Sequence, residues 1–229
     1  MPRWRYHRSK LELSHLKVGL VSVNVGQPSI VGAYRGRPLR SGIHKRPVAV
    51  ESLQLSTTNL EGDRQADLNV HGGPDKAVYA YPSEHIASWA AELGQELGPA
   101  AFGENLTVSG WLEDQVRIGD VWSWGEALLQ VTQPREPCYK LATFRSRPDL
   151  PKKLVANGRT GWYLRVLRPG AVPVSGPIEV VERHDAALTV LRLHRAHILG
   201  EATSEELAAM AGLPELSAAW RAAIAEKLG

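Results

Sequence analysis

The sequence predicts a mainly β domain, closed or rolled up to hide its edges, with a few helices and a small C-terminal appendage of three helices. Three observations lead there. From Leu16 to about Arg183, most of the chain's glycines and prolines punctuate short runs of branched and apolar residues. Within that region only Ser83 to about Leu97 has apolar residues at helical spacing (Ile86, Ala90, Leu93, Leu97). After Arg183 the composition turns to Ala, Leu, Glu and Arg. The boundaries read from this are 1–185 for the β domain and 186–229 for the appendage.

The strand candidates, in order, are Lys17–Val25, Val48–Val50, Ala77–Tyr81, Asn105–Val108, Gln115–Ile118, Leu128–Val131, Trp162–Val166 and Ile178–Val181. Ser83 is the candidate N-cap of the internal helix. In the tail, Leu188–Leu199 is periodic, Thr203-Ser204-Glu205-Glu206 has the spacing of a capping box, and Leu216–Leu228 is a third amphipathic stretch. With no low-complexity linker before them, these helices are expected to pack on the β domain.

At 229 residues and 43% hydrophobic, the chain can bury a substantial core. Its formal net charge of +3 suits a small anionic ligand better than duplex DNA. The basic start, Met1–Ser14, is not followed by an apolar segment, since Lys17, Ser22 and Asn24 interrupt Leu16–Val25. A signal peptide or membrane span is therefore not expected, and a cytoplasmic protein is. The tail carries Arg192, Arg195, Arg221 and Lys227 against five glutamates, a poor electrostatic footprint for a DNA-reading helix-turn-helix.

The only cysteine, Cys138, lies in Gln133-Pro134-Arg135-Glu136-Pro137-Cys138-Tyr139-Lys140. It has no internal disulfide partner, and prolines stiffen its loop while basic side chains favour a thiolate. It reads as a nucleophile, a persulfide carrier or a soft metal ligand, with a small buried hydrophobe as the plain alternative. Asp63, Asp67, His71 and Asp75 recur every four residues, but Gly72-Gly73-Pro74 would end any helix aligning them. The stretch reads as a loop and tight turn, its carboxylates either bonding backbone or facing a ligand. No HExxH is present, and His194 with His197 reads as packing. Lys45, Arg46, Arg64, Lys76, Arg135, Lys140 and Arg159 occupy the same glycine-rich loops, and gathered together they would make a cationic pocket for a phosphate.

These segments resemble MOSC-domain proteins of the YiiM type. The similarity is carried by Glu61-Gly62-Asp63-Arg64-Gln65-Ala66-Asp67, His71-Gly72-Gly73-Pro74-Asp75-Lys76-Ala77, Phe102-Gly103-Glu104-Asn105-Leu106, Ile118-Gly119-Asp120, Leu129 to Cys138 and Gly161-Trp162-Tyr163. It implies a MOSC-type β-barrel that binds molybdenum cofactor (molybdopterin) and reduces N-hydroxylated compounds such as hydroxylaminopurine base analogues to amines. Electrons would come from a separate redox protein, since no flavin or iron–sulfur motif is present. It further implies that Cys138 is the metal ligand, and that Cys138, His71 and Asn105 are the catalytic set. Lys45, Arg64, Gly72, Gly73, Lys76, Arg135 and Arg159 would hold the cofactor. The amidoxime-reducing relatives have an arginine where this chain has Gly103. The alternative function is a sulfur carrier for metal–sulfur cofactor assembly, with a persulfide on Cys138.

Overall fold

Short strands leave rows of unpaired backbone groups, and this chain disposes of most of them by closing a sheet on itself. The computed structural model describes residues 16–67 and 72–229. Its strands are β1 (Lys17–Val25), β2 (Ser29–Tyr34), β3 (Arg37–Ser41), β4 (Arg46–Pro47), β5 (Ser52–Leu55), β6 (Val78–Pro82), β7 (Leu106–Ser109), β8 (Val121–Trp124), β9 (Ala127–Pro134), β10 (Trp162–Arg168), β11 (Gly170–Pro173) and β12 (Ile178–Glu182). The helices are α1 (Glu84–Leu93), α2 (Tyr139–Arg145), α3 (Leu150–Asn157), α4 (Val190–His197), α5 (Ser204–Ala211) and α6 (Ala218–Glu226). None of them is long and apolar enough to cross a membrane.

Seven strands pair in the order β12-β8-β9-β10-β6-β7-β1, and β1 returns to β12 through Lys17↔Glu179 and Val18↔Ile178, closing a barrel. Only β6 and β7 run parallel, with α1 as the crossover a parallel pair needs. Strand β4 extends the far end of β1, β5 pairs with β11, and β2 with β3 forms a separate hairpin.

The barrel is filled by fully buried side chains, among them Trp122, Leu129, Trp162 and Leu164. Trp122 meets Trp162 edge to face at 5.9 Å between ring centroids. A second apolar cluster joins Tyr79, Tyr81, Trp89 and Phe102 to Leu141, Leu150 and Leu154. That cluster ties α1, α2 and α3 to the β6 side of the barrel.

The tail helices belong to the barrel's own core. Leu193, Ala196, Trp220 and Ile224 lie in the same buried cluster as Val131 and Trp162. The backbone amide of Val190 donates to Val116 O at 2.9 Å and that of Ser217 to Thr132 O at 3.3 Å. The capping box is present: Thr203 accepts from the Glu206 amide, and the Glu206 carboxylate accepts from the Thr203 amide.

Several local expectations need correction. Val48–Val50 and Gln115–Ile118 are not strands. In the latter, Gln115 and Asp120 side chains accept from the Leu112 and Arg117 amides, so local bonds hold a turn instead. Ser83 makes no capping bond because its own backbone is already helical, and α1 stops at Leu93 where Gly94 adopts a left-handed conformation.

Trp162→Ala should lower the unfolding free energy by about 3–5 kcal/mol, because a filled barrel cannot collapse around the void. Urea denaturation followed by circular dichroism measures it.

Candidate functional site

At Pro134 strand β9 stops. Pro134 and Pro137 each lack an amide donor, so the segment leaves the sheet and turns into α2, with Cys138 as the extended residue before its first turn. An open cleft lies there. Lys45, Arg64, Lys76, Arg135, Cys138 and Lys140 all line it, together with Asn105 and Gly72. The structure thus gathers Cys138 with most of the basic residues that sequence reasoning assigned to a pocket, drawn from four separate stretches of the chain. Cys138 is a free thiol, part-exposed on the cleft wall and not sealed in hydrocarbon.

Three residues on the same reading lie elsewhere, one of them Arg46, which is exposed on β4. Arg159 points to α1, where its Nη1 donates to Ser88 Oγ at 3.2 Å and its guanidinium sits 6.0 Å from the Trp89 ring. Gly73 is next to the cleft wall without forming part of it. His71 lies outside the described residues.

Arg135 is a buried charge in the cleft, 6% exposed, with its guanidinium carbon 5.0 Å from the Tyr79 ring centroid. Its Nη1 is buried and has no hydrogen-bond partner among the described residues. Burial works against the charge, but the electron-rich oxygens of Tyr79 and Tyr163 and the sulfur of Cys138 beside it outweigh that, so its pKa moves up and the group stays protonated. Burial also pushes the Tyr79 and Tyr163 phenols up, so both remain neutral. These tyrosines wall the cleft because β6 and β10 pair them directly, Tyr163↔Tyr79. Sequence reasoning missed them as site residues. Alternation in Tyr79-Ala80-Tyr81 marks a strand but cannot say which face meets a cleft.

Asp63 organises the wall opposite. It is fully buried and accepts from the Gly26 amide at 2.9 Å, from Lys45 Nζ, and from Asn105 Nδ2 at 3.0 Å. Asn105 has no donor left over: its second amide hydrogen goes to Asn24 O at 3.3 Å, and its Oδ1 accepts from the Tyr79 amide at 3.1 Å. Burial lowers the Lys45 pKa against the pull of Asp63, and the pair leaves Lys45 little net charge to offer a ligand.

The other carboxylates of the four-residue repeat are dispersed. Asp67 lies 3.8 Å from Lys140 Nζ. Asp75 accepts from Arg165 at 2.9 Å and from the Ala218 amide at 3.0 Å. Among the described residues no group of three His, Cys, Asp or Glu side chains could hold a metal ion. Glu104 is likewise consumed locally, accepting from the Ala100 and Phe102 amides and Thr107 Oγ1, and burial raises its pKa.

Close packing also shapes the cleft. A Cβ on Gly103, whose φ is +79°, would stand 2.5 Å from Ile43 Cγ1, and one on Gly42 would stand 2.1 Å from Arg64 O. An arginine at position 103, as in the amidoxime-reducing relatives, does not fit this backbone.

The closed barrel and its basic, thiol-bearing cleft define a class of protein. The chain matches the MOSC domain over residues 67–179. It is 40% identical to the uncharacterized protein YflK of Bacillus subtilis over 92% of this chain and 95% of that one. It is 45% identical to protein YiiM of Escherichia coli over 65% of this chain and 66% of that one. A Gibberella moniliformis protein named reductase is 35% identical over 61% of this chain, which spans 26% of its length. The crystal structure of YiiM from Geobacillus stearothermophilus superposes with a TM-score of 0.79 at 36% identity, covering 93% of this chain and all of that one. The chain belongs to the MOSC domain family and, within it, is of the YiiM type.

Asp63→Ala should destabilise the fold by about 3–5 kcal/mol, because it strands the Lys45 ammonium in a buried site. Chemical denaturation of the two proteins side by side tests this.

Proposed function

We propose that the cleft binds molybdenum cofactor and that the protein reduces N-hydroxylated compounds, hydroxylaminopurine base analogues among them, to the corresponding amines. The observation that carries this reading is a part-exposed thiol and a buried, unpartnered guanidinium nitrogen on the wall of one cationic cleft. An orphaned buried donor is costly unless a ligand accepts from it, and a phosphate oxygen is the acceptor that suits a guanidinium. A single thiolate suits a soft metal centre that brings its other ligands with it, which agrees with the lack of a protein metal cluster among the described residues. The residues present therefore fit the group.

When bound, the cofactor supplies the two-electron chemistry at its metal. The balance is R–NHOH plus two electrons and two protons giving R–NH₂ and water. The chain's own residues do the rest. Cys138 Sγ ligates the metal. Arg135 Nη1 donates to the phosphate, and Arg64, Lys76 and Lys140 add positive charge around it. Asp63 and Asn105, saturated by each other and by backbone, are positioning residues that hold Lys45 and the wall. Tyr79 and Tyr163 keep water from one side of the cleft. His71 is the remaining candidate for holding a proton near the substrate.

Similarity to the Gibberella moniliformis protein named reductase supports oxidoreductase chemistry. The setting is cytoplasmic and the reductant a separate redox protein.

Protein purified from a molybdenum-replete host should contain about one equivalent each of molybdenum and pterin. Cys138→Ser should lose the metal and abolish hydroxylaminopurine reduction while keeping the melting temperature of cofactor-free wild type, since a part-exposed thiol contributes little packing. Metal analysis, pterin fluorescence and turnover together test this. A dithiothreitol-labile sulfur on Cys138 in protein that never takes up molybdenum would replace the reading with the sulfur-carrier one.

A further inference from the structure

Residues 26–50 contain Arg35, Arg37, Arg40, Lys45 and Arg46 and no carboxylate, so this short stretch holds more positive charge than the chain's net +3. Lys45 turns inward onto Asp63. The four arginines are exposed, and none of them forms an ion pair with a described carboxylate. Arg35 lies over the Tyr34 ring at 5.3 Å and Arg40 donates to Pro28 O at 3.3 Å. Arg35, Arg37 and Arg40, gathered on one hairpin and paired with no described carboxylate, produce a positive potential that the fold itself does not use.

Apolar groups flank these cations on both faces of the hairpin: in the β2–β3 register Ile30, 66% exposed, stands opposite Arg40 on one face, and Tyr34, 40% exposed, stands opposite Arg37 on the other. The Tyr34 ring packs at 4.3 Å on Tyr139, itself 44% exposed and the residue after Cys138. The hairpin thus leans on the first turn of α2 and ends at Ser41, which is part of the cleft wall. Exposed tyrosines among arginines have the composition of a protein interface, and this one borders the mouth of the cleft that holds Cys138.

We propose that the β2–β3 hairpin, with Tyr34 packed on Tyr139 and with Arg35, Arg37 and Arg40 projecting from it, docks an acidic electron-donor protein of the iron–sulfur or flavin class. The inference rests on the reductase reading above and names the partner of that site. The two electrons of the balance already given come from one flavin donor oxidised by two or from two iron–sulfur donors each oxidised by one. Charge complementarity selects an acidic partner, and nearness to the cleft selects one that hands electrons into it. A nucleic acid would meet the same cations, but the exposed Ile30 would stay unused.

The test compares wild-type holoprotein with R35E/R37E/R40E, three side chains outside the cleft. With a reduced acidic plant-type [2Fe–2S] ferredoxin as donor, the KM for ferredoxin should rise at least ~10-fold at low salt, and the gap should narrow as salt is added. Turnover driven by reduced methyl viologen should be unchanged. Calorimetric titration with oxidised ferredoxin should show the same loss without any turnover, and R35Q/R37Q/R40Q should fall in between. Unchanged ferredoxin affinity overturns the proposal. So does an equal fall in viologen-driven turnover, which would place the hairpin on the substrate side, or a loss confined to binding a double-stranded oligonucleotide. If wild-type protein neither carries molybdenum nor turns over with viologen, the reductase reading fails, and the titration still decides the docking face.

Discussion

A carboxylate without access to solvent is tolerated only when every lone pair that matters finds a donor, and Asp63 shows how much structure that requirement can dictate. Its donors come from Gly26, Lys45 and Asn105, positions far apart in the chain. All three segments must be in place together, because a missing donor would leave a buried charge unbalanced. Asn105 extends the junction to Asn24 and to the β6 backbone at Tyr79. One wall of the cleft is therefore fixed before any ligand arrives, and the tight approaches at Gly42 and Gly103 follow from the same convergence.

The opposite wall follows a different logic. Arg135 is held by a proline-bounded turn and by two neutral phenols, with no carboxylate to quench it. Lys45 and Lys140 are partly spent within the protein, on Asp63 and on Asp67. Positive charge free for a ligand is thus concentrated near the thiol, where an anion bound to Arg135 would also lie close to Cys138.

Much of this was legible in the sequence, and the failures have physical causes. Strands facing a filled barrel on one side announced themselves, as Lys17–Val25 did residue for residue. The β2–β3 hairpin did not, because almost every residue in β2 is exposed and no alternation survives. Helices α2 and α3 went unseen because they are short and flanked by prolines, their stability coming from the cluster around Trp89 and Phe102 and not from periodicity. At the site, residue types sufficed to collect Cys138, Arg135, Lys76 and Asn105. They could not reveal that Arg159 turns toward Trp89, since a side chain's direction after a glycine turn is decided by packing. Nor could they show Tyr79 and Tyr163 side by side, which depends on the β6–β10 register.

The attachment of the terminal helices has its own implication. Asp75 precedes the cleft residue Lys76, and its carboxylate grips both the start of α6 and Arg165 of the barrel. With Trp220 and Ile224 seated in the shared core, the tail behaves as a keystone laid last across an arch begun much earlier in the chain. The turn bearing Lys76 is thus braced by residues more than a hundred positions downstream, so the pocket's lining is tied to the far end of the chain.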